Sequence, residues 1–321
     1  MSERRSPCSS ADVPAISVVI AVYGDGAALD ELVRRTAAVL ERVASSWECI
    51  LVNDGSPKET WSLIQDLARE FKNIRGINLR SNFGQHNALL AGICASRGCT
   101  IITLDDDLQH PPEEIHRLLE ALEEGVDVVY GKPISPSHGL WRSVASAAVK
   151  AGLKSVLGSQ IALDVSAYRA FRGSLRPHFV DFRSPYVSID VLLSWATSHF
   201  RAVNVTHEPR RYGTSHYTIW HLLSHTMNLV TGFSVWPLRV ASLLGLVFTC
   251  FGVFVLTYVL VRYLVSGTSV AGFPFLASTI ALFSGAQLFA LGVIGEYLAR
   301  MYLRMMERPP YVIESTVNCE G

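Results

Sequence analysis

The sequence lacks several signatures that would place it at once in a common class of proteins. No turn after a predicted strand carries a GxGxxG or a GxxxxGK(S/T) pattern, so neither a dinucleotide fingerprint nor a P-loop is supported. Its six cysteines form no CxxC pair and no Cys/His metal spacing, which argues against a zinc site and for reduced thiols. Basic and acidic residues balance at 28 each, and this balance argues against a nucleic-acid partner.

Charge is also absent from two long stretches near the C-terminus. Residues 240–261 and 273–295 contain no charged side chain, and each run exceeds the roughly 20 residues that cross a bilayer core. The short linker at residues 266–272 therefore predicts a transmembrane hairpin of two helices. Arginines cluster before the first run and after the second, while only Arg262 lies near the linker. The positive-inside rule then predicts that both hairpin ends lie in the cytoplasm.

The start of the sequence contains no apolar segment that would direct export. Residues 1–14 are polar and predict a flexible N-terminus without a signal peptide, so we expect a cytoplasmic domain at the cell (inner) membrane. The expected organisation continues with an α/β domain at 15–212, an amphipathic interfacial segment at 213–237, the hairpin at 238–300 and a cytoplasmic tail at 301–321.

The N-terminal part of the chain alternates apolar strands with amphipathic helices. This alternation predicts a doubly wound, Rossmann-like α/β fold with a mostly parallel sheet. The strands are expected at 16–22, 48–52, 74–79, 101–104, 126–130 and 201–206, with helices at 29–43, 59–71, 85–96, 112–124, 140–157, 184–197 and 219–230. Ligands of such sheets bind beyond the carboxyl ends of the strands. The polar residues at those ends are Tyr23, Asp25, Asp54, Asn82, Asp105, Asp107 and Gln109.

Three consecutive aspartates follow the fourth predicted strand. In extended backbone Asp105 and Asp107 point the same way while Asp106 faces away. Two converging carboxylates repel each other unless a cation lies between them, and Mg²⁺ or Mn²⁺ prefers such oxygen ligands. Taken alone, an acidic turn that caps the helix near Pro111 explains the cluster equally well. An acidic edge without a glycine cradle needs a metal to hold phosphates, which favours a metal–diphosphate site.

Several stretches together resemble a known family. They are SVVIAVYGD, VNDGS, RSNFGQHNALLAG, LDDDLQHPPEEI, RYGTSHY and GFSVWPLR followed by the hairpin. The chain resembles the membrane-bound family 2 glycosyltransferases that transfer a sugar from a nucleotide donor to a polyprenyl phosphate, the group of dolichyl-phosphate mannose synthase and the bactoprenol glycosyltransferases. The resemblance implies an inverting, metal-dependent hexosyltransferase with Mg²⁺ or Mn²⁺ as cofactor. Its partners would be a nucleotide sugar, an undecaprenyl or dolichyl phosphate and the membrane, with homo-oligomerisation left open.

The resemblance also implies roles for individual residues near the donor. Asp105 and Asp107 correspond to the pair that binds the metal and the diphosphate, with Gln109 close to the donor. Asp54 corresponds to the aspartate that contacts the nucleobase or ribose. Tyr23 and Asp25 lie beside it, and Asn82 belongs to the neighbouring ligand loop.

A second group of implied residues serves the acceptor and the phosphates. Asp164 corresponds to the suspected base, with Asp190 as the alternative, and Arg169 lies in the same segment as Asp164. The phosphate-binding loop would contribute Arg210, Arg211, Ser215 and His216. Two alternative functions remain at this stage. One is transfer to a glycan hydroxyl in polysaccharide or cell-envelope synthesis, and the other is a catalytically inactive membrane scaffold.

Overall fold

The structure is a computed structural model that describes residues 13–133, 165–184, 186–208, 236–266 and 272–319. The chain divides into two units. The first unit comprises Met1–Thr218 together with Glu307–Gly321, and the second comprises Ile219–Met306. The predicted helices at 140–157 and 219–230 lie outside the described residues.

The described part of the first unit is an α/β domain, and the second contains two long helices. The strands are β1 (Ile16–Val22), β2 (Trp47–Asn53), β3 (Ile74–Leu79), β4 (Thr100–Asp105), β5 (Val128–Pro133), β6 (Arg169–Arg172), β7 (Phe200–Val205) and β8 (Ile313–Val317). The helices are α1 (Leu29–Val43), α2 (Lys58–Glu70), α3 (Gln85–Ala95), α4 (Ile115–Ala121), α5 (Pro177–Val180), α6 (Ile189–Ala196), α7 (Trp236–Ser266) and α8 (Phe273–Met305).

The eight strands form one mixed sheet in the order β7-β5-β6-β4-β1-β2-β3-β8. The central strands β4, β1, β2 and β3 are all parallel, whereas β6 and β8 run antiparallel to their neighbours. The strand order reverses between β1 and β4, because β2 and β3 continue on one side of β1 and β4 lies on the other. This arrangement confirms the predicted doubly wound, mostly parallel sheet.

Alternation of side chains along the buried strands explains why helices cover both faces. In β1, Val18 and Ile20 pack in one core cluster with α1, while Val19 and Ala21 pack in the other cluster with α3. Because successive strand residues point to opposite faces, a strand with apolar residues at every position requires a cover on each side. α1 meets this need with Leu29, Leu32, Val33, Val39 and Leu40 on its buried face.

The two helices of the second unit are long and apolar enough to cross a membrane. The qualifying spans are Leu238–Val265, with mean hydropathy 2.4, and Leu282–Met305, with mean hydropathy 1.4. In the most apolar window of each span, no described residue is buried inside the protein, unlike the core helix of a soluble domain. Both helices extend beyond the apolar runs from which they were predicted.

The structure differs from the sequence prediction at several elements. The predicted helix at 184–197 is shorter and begins at Ile189. The predicted helix at 112–124 begins as a short 3-10 turn at Pro112–Glu114 and ends at Ala121. β8 is an additional strand, since the sequence after the hairpin predicts only a tail. Thiols are free at Cys49, Cys94, Cys250 and Cys319, but Cys99 is disulfide-bonded, so the expectation of reduced thiols is wrong for Cys99.

Candidate active site

The ends of β1 and β4 are joined directly at the point where the strand order reverses. Ala21 lies opposite Asp105 in the parallel register, and the next turn brings the Tyr23 N–H to Asp106 Oδ2 at 3.0 Å. Asp106, which had no role in the sequence interpretation, therefore connects the two turns. A crevice at this position is where open α/β sheets bind their ligands.

Asp105 and Asp107 bring two carboxyl groups near each other at this crevice. Burial, and next the charge of Asp107, raise the pKa of Asp105 to about 7, although Arg169 acts in the opposite direction. The Asp105 carboxylate accepts a hydrogen bond from Gln85 Nε2 at 2.6 Å. A carboxyl group whose ionisation is disfavoured by a neighbouring carboxylate would be stabilised in its charged form by a cation.

The donor set fits a hard divalent cation that shares its coordination with a substrate. In the described part of the chain, no group of three or more His, Cys, Asp or Glu side chains is arranged to hold a metal ion. Asp105 and Asp107 can therefore offer only a partial set of oxygen ligands. Mg²⁺ is commonly held in this way, by one or two carboxylates together with water and substrate phosphates.

The turn after Asp105 is held in an uncommon backbone conformation. Leu108 has φ 59°, in the left-handed region, and its side chain is buried. Such a φ is rare for a bulky residue, and conformations of this kind cluster at functional sites. Asp107 Oδ1 accepts the Gln109 N–H at 3.0 Å, which closes the turn. The sequence contains no signal that would have indicated a left-handed leucine.

A histidine pair and the segment after β7 pack against the same turn. The Glu208 N–H donates to the Gln109 carbonyl at 2.9 Å, and Gln109 Nε2 lies 3.4 Å from His207 Nε2. The His207 ring stands edge-on to the ring of buried His110, with centroids 5.2 Å apart. Burial, and next the nearby His207, lower the pKa of His110 to about 4, so His110 is neutral at physiological pH. Neither histidine is among the site residues predicted from the sequence.

Asp54 holds two turns together at the ends of β2 and β3. Its buried carboxylate accepts the N–H groups of Phe83 at 2.7 Å and Gly84 at 2.9 Å. Burial raises the pKa of Asp54, while these two hydrogen bonds lower it. At Gly55, with φ +66°, a Cβ atom would lie 2.4 Å from the Asn82 backbone nitrogen, so the turns touch backbone to backbone. Asp54 therefore shapes the loop of Asn82 whether or not it also contacts a nucleotide.

The remaining predicted donor residues face outward at the same edge. Tyr23 is 65% exposed, and Asp25 and Asn82 are exposed as well. Asp25 Oδ1 accepts the Ala27 N–H at 3.2 Å, a local turn contact. The structure thus brings Tyr23, Asp105, Asp107 and Gln109 together around the β1–β4 crevice.

Arg169 lies beneath this crevice rather than at its mouth. Its guanidinium is buried, forms an ion pair with Asp190 and donates from Nε to Thr103 Oγ1 at 3.0 Å. Asp190 also accepts the Tyr130 hydroxyl at 3.0 Å. Both residues are thus engaged with each other in the interior. This geometry favours a supporting role for them over phosphate binding by Arg169 or base catalysis by Asp190.

Five of the predicted site residues lie outside the described residues. They are Asp164, Arg210, Arg211, Ser215 and His216.

Comparison with known proteins assigns the chain to a family. Residues 17–172 match the family model described as "Glycosyl transferase family 2". The undecaprenyl-phosphate 4-deoxy-4-formamido-L-arabinose transferase of Pseudomonas aeruginosa (strain LESB58) is 36% identical over 306 residues, which cover 94% of this chain and 90% of that protein. The chain belongs to glycosyl transferase family 2. The protein of the same name from Pectobacterium carotovorum subsp. carotovorum (strain PC1) is 33% identical, with 96% of this chain and 95% of that protein covered.

Solved structures resemble this chain at low identity. Glucosyl-3-phosphoglycerate synthase from Mycobacterium tuberculosis, crystallised with Mn²⁺, uridine diphosphate and phosphoglyceric acid, aligns with a TM-score of 0.48 and 16% identity. The alignment covers 68% of this chain and 76% of that chain. Family membership confirms the predicted glycosyltransferase activity. The alignment with the Pectobacterium protein covers 96% of this chain and so includes the two long helices. The assignments of single residues in this transferase stay predictions.

Proposed function

We propose that this glycosyltransferase moves a sugar from a nucleotide donor to undecaprenyl phosphate or a similar polyprenyl phosphate. The similarity to relatives named for undecaprenyl-phosphate sugar transfer carries the proposal, because it covers 94% of this chain at 36% identity. The two apolar helices support a membrane location, where a polyprenyl acceptor resides. A donor bound at the β1–β4 crevice would lie beside Asp105 and Asp107, and Tyr23 and Asp25 would border its nucleotide.

Asp105 and Asp107 would hold the divalent cation together with the donor diphosphate. When bound there, Mg²⁺ or Mn²⁺ would act as a Lewis acid that neutralises charge on the leaving nucleoside diphosphate. The hydrogen bond from Gln85 orients the Asp105 carboxylate, and the closed turn at Gln109 orients Asp107. Both carboxylates are therefore positioned before the donor arrives.

The arginines that follow Glu208 in the sequence would bind the phosphates. Glu208 donates its N–H to the Gln109 carbonyl at 2.9 Å, and Arg210 follows two residues later in the chain. Planar guanidinium groups bind phosphate oxygens in pairs, and Arg210 and Arg211 would supply two such groups. Ser215 and His216 would extend this contact.

The acceptor needs little activation. The second pKa of a phosphate monoester lies near 6, so a polyprenyl phosphate is largely ionised at neutral pH. Asp164 would then position the acceptor more than deprotonate it. Direct attack of the phosphate oxygen on the anomeric carbon inverts the configuration of the sugar.

The proposed topology places the α/β domain and both ends of the hairpin in the cytoplasm. β8 follows the second long helix and pairs with β3 in the same sheet as β1. The chain therefore leaves the α/β domain before α7 and returns to it after α8. Such a return requires an even number of membrane crossings, which supports placing both hairpin ends on the same side of the membrane.

The proposal is tested on membranes that contain the full chain. These are incubated with undecaprenyl phosphate and radiolabelled nucleotide sugars, including activated 4-deoxy-4-formamido-L-arabinose. We expect label in the lipid with Mg²⁺ or Mn²⁺, none with EDTA, and an inverted anomeric configuration by NMR. Label in a glycan without a lipid product would favour the hydroxyl acceptor, and no transfer of any sugar would favour an inactive scaffold.

The aspartate cluster provides its own matched control. Asp105→Asn and Asp107→Asn each remove a metal ligand, and we expect kcat/KM to fall about a hundredfold or more. Asp106→Asn keeps an oxygen for the Tyr23 N–H, so we expect most activity to remain. Equal activity in the wild type and in the Asp105 and Asp107 variants would contradict the metal site.

A further inference from the structure

A chain of side-chain hydrogen bonds runs from the C-terminal strand to the turns at the crevice. Asn78 Nδ2 in β3 donates to Glu314 Oε2 in β8 at 3.1 Å, and Asn53 Nδ2 in β2 donates to Asn78 Oδ1 at 2.8 Å. The Ser56 N–H donates to Asn53 Oδ1 at 3.3 Å, and the Gly24 N–H donates to Ser56 Oγ at 3.2 Å. Five residues from four strands and their turns are thus connected in series.

The direction of this series is set by its first member. A carboxylate only accepts hydrogen bonds, so Glu314 orients the amide of Asn78 with its NH₂ group outward along β8. The Asn78 oxygen then faces Asn53, whose own oxygen faces the Ser56 N–H. Hydrogen bonds aligned in one direction polarise and strengthen one another.

The backbone of the edge strand is shaped to present Glu314. Asn78 pairs with Ser315 and Leu79 pairs with Ile313, so Glu314 is the extra residue of a β-bulge. Bulges re-aim a side chain and are over-represented near active sites. Asn53 and Asn78 also lie opposite each other in register, and Asn53 is buried, although asparagine is disfavoured in strands. The bulge and the paired asparagines argue for a purpose other than sheet stability.

The far end of the series lies in the two turns that border the proposed donor site. Gly24 stands between Tyr23 and Asp25, and Ser56 closes the turn that begins with Asn53 and Asp54. The Ser56 hydroxyl also donates to the Val22 carbonyl at 3.3 Å, which connects the β2–α2 turn to the end of β1. A change at Glu314 can therefore be transmitted to both turns.

We propose that Glu314 and Asn78 are positioning residues that order the donor-binding turns through Asn53 and Ser56. The proposal rests on the donor site described under the proposed function. Because β8 follows α8 in the chain, Glu314 can join this series only after the chain has returned from the two long helices to the sheet.

The test measures nucleotide affinity rather than transfer. Full-length protein in detergent is titrated calorimetrically with UDP and with GDP, each in the presence of MnCl₂. We expect Glu314→Ala and Asn78→Ala each to weaken binding about threefold to tenfold, as loss of one hydrogen bond would. The double variant should bind the nucleotide no more weakly than the single variant with the lower affinity, because both substitutions interrupt the same series of hydrogen bonds. Glu314→Gln keeps an acceptor oxygen and should bind nearly as the wild type does.

Thr316→Ala is the matched control on the same strand. Thr316 is exposed and lies opposite Ile77 in the β3–β8 register. The nucleotide affinity of Thr316→Ala should therefore equal that of the wild type. Wild-type affinity in Glu314→Ala, additive effects in the double variant, or equal weakening in Thr316→Ala would overturn the proposal. If the wild type binds neither nucleotide, the donor site itself is wrong, and this proposal fails with it.

Discussion

At the scale of single residues, Asp105 shows how the fold prepares a carboxylate for a cation. Gln85 holds one of its oxygens, while burial and Asp107 raise its pKa from 3.8 to about 7. In the unfolded chain the same group would ionise near pH 4. The folded protein without metal therefore binds a proton at Asp105 that the unfolded chain releases between about pH 4 and 7.

This difference predicts how stability depends on pH. The contribution of Asp105 to the free energy of unfolding is fully present below about pH 4, the pKa of this group in the unfolded chain. It is lost as the pH rises to about 7, the pKa in the folded protein. We expect Asp105→Asn, measured in EDTA, to raise the melting temperature relative to the wild type by a margin that grows from pH 4 to 7 and then stays constant. Adding Mn²⁺ at pH 8 should stabilise the wild type and leave Asp105→Asn unchanged. A margin independent of pH would show that Asp105 does not titrate in this range.

At the scale of elements, the crevice is built from turns whose backbones touch. Gly55 has a positive φ, and a side chain there would meet the backbone of Ser81 and Asn82 at 2.5 and 2.4 Å. Asp54 ties the same two turns together through Phe83 and Gly84. The ends of β2 and β3 thus form one rigid border of the site.

Replacement of Gly55 by alanine should force these turns apart. A left-handed alanine costs about 1–2 kcal/mol, and overpacking adds about 1–3 kcal/mol. Gly24→Ala is the control, because Gly24 also has positive φ but no atom lies within 4 Å of its Cβ position. We expect urea unfolding of the full-length protein to show a loss for Gly55→Ala that exceeds the loss for Gly24→Ala by about 1–3 kcal/mol. Equal losses would mean that the turns can separate freely.

At the scale of the whole molecule, both ends of the two-helix segment belong to one domain. Met1–Thr218 and Glu307–Gly321, which precede and follow the second unit in the chain, belong to the same unit, because β8 completes its sheet. The topology of the chain thus agrees with the arginine distribution, although the two observations have independent physical origins. One is strand pairing, and the other is the charge asymmetry of membrane insertion.

Reporter fusions test this orientation. Alkaline phosphatase is active only outside the cytoplasm, so a fusion after Ser269, in the linker between the helices, should be active. A fusion after Gly321 should be inactive, and a green fluorescent protein fused there should fluoresce. The two phosphatase fusions, after Ser269 and after Gly321, control each other for expression and membrane targeting, because both contain the first apolar run. Activity at both positions would rule out a hairpin with two cytoplasmic ends.

The sequence predicted most of the fold, whereas its assignments of site residues stay predictions. Strands β1 to β5 and helices α1 to α3 were predicted within about two residues at nearly every end, because their apolar periodicity is local and strong. β8 was not predicted because four of its five residues are exposed and only Val317 packs against the core, so no alternation marks it. The turn at Leu108 was not predicted because no residue pattern indicates a left-handed backbone at a buried leucine.

The sequence by itself determined the α/β class, the three aspartates at a strand end and the two apolar runs. Each of these depends on composition and spacing within a single segment. Only the tertiary structure decided that Arg169 pairs with Asp190 beneath the site and that His207 meets Gln109. The same holds for Glu314 and Asn78, which are 236 residues apart in the chain. Local patterns specify which face of a segment is buried, but the choice of partner is made by the packing of the whole sheet.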